Sequence, residues 1–162
     1  MTYTIDDFKD YIENLAKSHS QVKHSDTNIH FAYLNDQKES LLPDQMRYPF
    51  VYFGHEGFQV NESQQMVWDV NLSLFDHVAD TGNDVEVNTA LGTTCQILID
   101  FLSKMKEDRK SPSYKLLRGL DFNEASASPM SNQDDALYGY AISFRIALPW
   151  CSQLADGTFL NP

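Results

Sequence analysis

The stretch LYGYAISFRIAL, residues 137–148, decides the fold class. In an extended chain successive side chains point to opposite faces. Tyr138, Tyr140, Ile142, Phe144, Ile146 and Leu148 therefore share one side, and Gly139, Ala141, Ser143, Arg145 and Ala147 share the other. This period of two predicts a long strand with one face in a core, ended by Pro149. The opposite face is a row of small residues around one arginine, and it can lie close against a neighbour. Trp150 follows outside the alternation. It either anchors the tail 151–162 or meets another subunit, since aromatic side chains are enriched where proteins touch.

Upstream, 119–127 reads as the partner strand of a C-terminal β-hairpin. Pro129, Ser131, Asn132, Asp134 and Asp135 mark the loop between the two. Before it, Val87, Leu91, Thr94, Cys95, Leu98, Leu102 and Met105 recur at helical spacing and predict a long helix over about 84–107, opened by Asn83 or Asp84. Met66, Trp68, Val70, Leu72 and Leu74 alternate with Asp69, Asn71 and Ser73, which predicts a half-buried antiparallel strand over 66–75. Tyr48 to Phe53 (YPFVYF) is a dense aromatic and β-branched run, with Pro49 suggesting an edge or first-residue position. Gly54 and Gly57 are expected to bracket a turn, after which 58–60 rejoins the sheet.

Residues 29–34 read as a short strand and 18–28 as a polar loop. At the N-terminal end, Ile5, Phe8, Ile12, Leu15 and Ala16 form an apolar stripe over about 4–17, with Thr4 as N-cap and Asp6 and Asp7 where the helix dipole favours negative charge. The expectation is an α+β fold, a mostly antiparallel sheet packed against two helices. Nothing in the composition marks a second domain in 1–162, and a tail 151–162 lies beyond the last strand. A chain of 162 residues is long enough for one core.

The 23 acidic residues against 12 basic ones give a formal charge of −11, which argues against gripping nucleic acid or anionic lipid. No stretch approaches the ~18 apolar residues of a membrane span, and the N-terminal residues carry no signal-peptide pattern. Two cysteines, Cys95 and Cys151, are too few for a disulfide framework, and Cys95 sits where a thiol packs as a small hydrophobe.

Candidate chemistry is sparse. Asp76, His77, Asp80 and Asp84 could hold a divalent cation, but their spacing matches no calcium loop, and capping of the next helix explains them more cheaply. The five histidines (His19, His24, His30, His55, His77) have no GxSxG, HExxH or CxxC partner. Asp6 with Asp7, and Asp134 with Asp135, suit a helix first turn and a solvated loop better than an acid/base couple. No catalytic, cofactor or metal residue is expected. A hydrolase built on the 76–84 loop, and an adaptor that binds one peptide by strand addition, are the alternatives.

The order of helix, strand, YPFVYFG, MVWDVNLSLF, long helix and closing YGYAISFRIALPW resembles the tail-terminator and tail-completion (neck) proteins of long-tailed bacteriophages. The likeness spans 48–149 and is carried by Tyr48, Pro49, Gly54, Phe144, Arg145 and Ile146. The loop 18–28 and the tail after Trp150 depart from that compact pattern. The resemblance implies a homo-oligomeric ring, a hexamer, at the junction of tail tube and head connector. DNA would pass through its lumen without specific binding. It implies a virion protein made in the host bacterial cytoplasm, with tail-tube and head-connector proteins as partners. A baseplate protein or another phage structural adaptor is the neighbouring reading. On this view Gly139, Ala141, Ser143, Arg145 and Trp150 are the expected subunit interface.

Overall fold

The computed structural model describes residues 3–33, 46–63 and 65–149. It is α+β, with two α-helices and a five-stranded, mostly antiparallel sheet. In chain order the elements are α1 (Ile5–Ser18), β1 (Ile29–Tyr33), β2 (Met46–Val60), β3 (Gln65–His77), α2 (Asp84–Asp108), a short 3-10 helix (Lys115–Gly119), β4 (Leu120–Asn132) and β5 (Leu137–Pro149). Across the sheet the order is β1-β2-β3-β5-β4, with only the β1–β2 pair parallel.

Local chemistry fixes the helix starts. The Asp7 N–H donates to Thr4 Oγ1 (3.2 Å) while the Thr4 N–H donates to Asp7 Oδ2 (2.7 Å), a complete capping box. Asn83, rather than Asp84, caps α2 by accepting from the Val85 N–H (3.1 Å). Both helices lie on one face of the sheet. Phe8, Ile12 and Ala16 of α1 and Ile97, Phe101 and Met105 of α2 are buried against Phe53, Val70, Leu72, Leu74, Phe144, Ile146 and Leu148. The apolar face of β5 is thus a core face, as its alternation predicts. In α2 the buried stripe is Ala90, Thr94, Ile97, Leu98, Phe101 and Met105. It is rotated from the predicted one, so Cys95 is half-exposed instead of buried. Trp68 is also only partly buried, packing on the margin of the core.

Three departures from the sequence reading concern glycine and proline inside strands. Gly54 and Gly57 do not bracket a turn, because β2 runs unbroken to Val60 and absorbs Glu56 as a bulge between the His55↔Val70 and Gly57↔Asp69 pairs. Gly57 takes φ 135°, a conformation open to glycine and costly for other residues. Pro49 lies inside β2, neither first nor at an edge. It falls where 47–50 bows out opposite the single residue His30, and a bulge is the other place a sheet tolerates proline. The expected loop at 129–135 is mostly strand. β4 pairs with β5 through Pro129↔Tyr140 to Asn132↔Leu137, leaving 133–136 as the turn. β4 is the outermost strand, and an edge strand is where a sheet tolerates proline. Leu34, expected in β1, lies outside the described residues.

Candidate interaction surface

With both helices on one side, the other face of the sheet is left without a covering layer among the described residues. Strand register lays out its residues in rows. Asp69 of β3 pairs with Arg145 of β5, Asn71 with Ser143, Ser73 with Ala141, and Phe75 with Gly139. Ser126 and Ser128 of β4 extend the rows outward. The sequence-predicted residues Gly139, Ala141, Ser143 and Arg145 therefore share this open face, while Trp150 lies outside the described residues.

The face is polarised along the strands. At one end, Arg145 Nε donates to Asp69 Oδ1 (2.9 Å) and Arg145 Nη1 lies 3.1 Å from Glu124 Oε2. Asn71 Nδ2 donates to Glu56 Oε1 (3.1 Å), and Ser143 Oγ donates to Asn71 Oδ1. Glu56, Asp69, Asp121 and Glu124 surround the single guanidinium in a hollow of about 350 Å³. All these groups reach solvent, so the pairs orient one another more than they stabilise the fold. The middle is smooth because its residues are small. Gly139 is buried, and a Cβ there would overlap the Leu74 carbonyl of β3, so its missing side chain serves the sheet itself.

At the other end Met46, Tyr48, Phe50, Tyr52, Phe75 and Leu137 line a wholly apolar hollow of about 140 Å³. The Tyr52 hydroxyl is enclosed there without a hydrogen-bond partner among the described residues, and burial pushes its pKa up. Sequence reading passed over this patch. Its signal was present, since YPFVYF puts Tyr48, Phe50 and Tyr52 on one face while Val51 and Phe53 supply the core on the other. A strand apolar on both sides needs cover on both sides.

The other candidates make local contacts. Asp80 Oδ1 accepts from the Gly82 N–H (3.0 Å), the Asp80 N–H donates to Glu86 Oε2 (3.2 Å), and Asp76 Oδ1 accepts from the His77 N–H (2.9 Å). Among the described residues no group of three or more His, Cys, Asp and Glu side chains is placed to hold a metal ion. His55 is wedged between the rings of Tyr33 and Trp68, at 5.8 and 4.9 Å. His24 Nδ1 accepts from the His30 N–H (3.2 Å). Buried Asp108, which the sequence reading did not single out, accepts from the Tyr11 hydroxyl (3.0 Å) and from Lys104 Nζ (2.8 Å), tying α1 to the end of α2. No helix among the described residues is long and apolar enough to cross a membrane. No protein-family model matches the chain, and no curated protein matches it.

Proposed function

We propose that this chain is a non-catalytic structural subunit of a phage or prophage neck. Copies assemble into a ring, a hexamer by the resemblance, that ends the tail tube and joins it to the head connector. The observation that carries the reading is the one-sided fold. Helices bury one face of the sheet, while the other, with its apolar hollow at one end and its small row ending at Arg145, is left for contact with other subunits. The chemistry of the described residues supports it too, because the acidic loop 76–84 is occupied with turn and cap hydrogen bonds. The charge of −11 suits a lumen along which DNA slides without being held. In this role the protein resides in the virion tail or neck after synthesis in the host cytoplasm.

Native mass spectrometry and negative-stain electron microscopy test this directly. Rings are expected, alone or on adding tail-tube protein, and monomers under both conditions would sink the proposal.

A further inference from the structure

Two exposed apolar features lie on opposite flanks of the sheet. The first is the arm formed by the ends of β2 and β3. Phe58 and Val60 are each 51% exposed, although Phe58 rests on the Trp68 ring at 4.7 Å. The Trp68 indole N–H and His55 Nδ1 beneath are enclosed without partners among the described residues. Register puts Phe58 and Val60 level with Trp68 and Met66, on the side that carries the helices, at a level where no helix residue covers them. The second is a groove of about 270 Å³ between α2 and β4, lined by Ile99, Leu102, Lys106, Phe122, Ala125 and Ile142. It exists because β4 carries four residues, 122–125, where β5 offers only Phe144, so the edge strand bows away and leaves Ile99 48% exposed. Isolated exposed hydrophobes are ordinary, but two concentrated patches on a domain of this size mark contact sites.

Charge pairs the two patches. The arm, residues 55–69, has no lysine or arginine; its Glu56 and Asp69 are bonded to Asn71 and Arg145 on the open face, which leaves Glu62 as the acidic group at its tip. Six of the 12 basic residues (Lys104, Lys106, Arg109, Lys110, Lys115 and Arg118) fall between 104 and 118, at the groove end of α2 and just beyond. Among the described residues Lys106, Lys110, Lys115 and Arg118 make no ion pair. An apolar arm tipped by Glu62 thus matches an apolar groove lined by Lys106. The two belong to different strand pairs, β2–β3 and β4–β5, on opposite flanks of one sheet.

We infer that the β2–β3 arm of one copy docks into the α2–β4 groove of the next copy, with Phe58 as the apolar anchor. Such a contact joins two different patches and is head-to-tail, the type that closes into rings when its rotation allows. It rests on the ring reading above and adds which surfaces meet.

Cysteine trapping tests it. In a chain carrying Cys95→Ala and Cys151→Ser, Phe58→Cys and Ile99→Cys are made separately and together, then oxidised and run on non-reducing gels. The double variant is expected to give a ladder of covalent multimers. Mixing the two single variants should give dimers with one of each, and each single variant alone should stay monomeric. Dimers from either single variant alone would overturn the inference, as they report a patch meeting its own copy. So would an internal bridge between Phe58→Cys and Cys151 in a companion chain that keeps Cys151, because it puts that residue on the arm in place of a neighbouring copy. Assembly seen by native mass spectrometry without mixed dimers overturns the docking and leaves the ring standing. No assembly at any concentration overturns both. Independently, Phe58→Asp and Ile99→Asp, both at exposed positions, should raise the concentration for half-assembly at least about tenfold with unchanged circular dichroism. Unchanged assembly in both would overturn the contact.

Discussion

Three residues show how single groups hold this fold. Tyr11 is buried and donates to Asp108, and both that burial and the nearby carboxylate push its pKa well above the ordinary tyrosine range. Tyr11→Phe keeps the ring but leaves Asp108 with Lys104 alone, and should cost about 1–2 kcal/mol in a urea titration. Gly139→Ala should be far worse, because the new methyl meets β3 backbone instead of a yielding side chain. The expected outcome is insoluble protein, or a loss above about 3 kcal/mol, among the large single-residue effects that overpacking and backbone clash produce. His24 sets a pH dependence. Burial pushes its pKa below the ordinary histidine value, and the attraction of Glu13 only partly offsets this. A base depressed by folding binds fewer protons folded than unfolded, so stability falls as pH drops below about 6.5 and is level above it. In His24→Gln the difference in urea midpoint between pH 7.5 and pH 5.5 should shrink, and an unchanged difference would exclude His24 as its source.

At the scale of elements, the caps were legible because a cap is a local pattern. Thr4 with Asp7 and Asn83 ahead of α2 sit within three residues of what they bond. Thr4→Ala and Asn83→Ala should each destabilise by about 1 kcal/mol, read as a lower denaturation midpoint at unchanged denaturant slope. The alternation of β5 and β3 was equally plain, since one face of each packs under α2. The bulges were not legible. Whether Gly57 turns the chain back or is absorbed in a longer strand depends on how β3 pairs with it, and β3 lies on the far side of the turn. Pro129 misleads for a related reason, because a proline interrupts regular pairing in an inner strand but not at an edge, and strand order is not written locally. The stripe of α2 was misplaced by about one position because the helix is apolar around much of its circumference, with Ile97, Ile99 and Phe101 intervening between the residues chosen.

For the whole molecule, the sheet's centre and flanks differ in what protects them. β3 and β5 have strands on both sides and a helix above, whereas β4 from Asn123 onward is almost entirely exposed and the arm tip at 58–63 wholly so. Native-state hydrogen exchange should find the slowest amides in β3 and β5 around Val70 to Leu74 and Ile142 to Ile146. Those of 123–132 and 58–63 should exchange much faster. Protection of the two flanks that rises with protein concentration would locate them in a contact between copies. Of the proposed contact residues, the sequence revealed the row on β5 because it lies on one strand. It could not reveal the α2–β4 groove, whose walls come from segments sixteen or more residues apart.

The bulges have a geometrical consequence for any assembly. Each of the three places extra residues on one strand only, at 47–50, Glu56 and 122–125, and a bulge bends its strand and increases the local twist. A flat sheet would leave the orientation of a neighbouring copy loosely set. A sheet coiled at both flanks gives a docking copy one angle to adopt. If copies join arm to groove, the number that completes a circle is 360° divided by that angle. Glu56 shapes one partner surface and the 122–125 segment the other, so deleting the one or shortening the other should alter the count of subunits per ring as well as its stability.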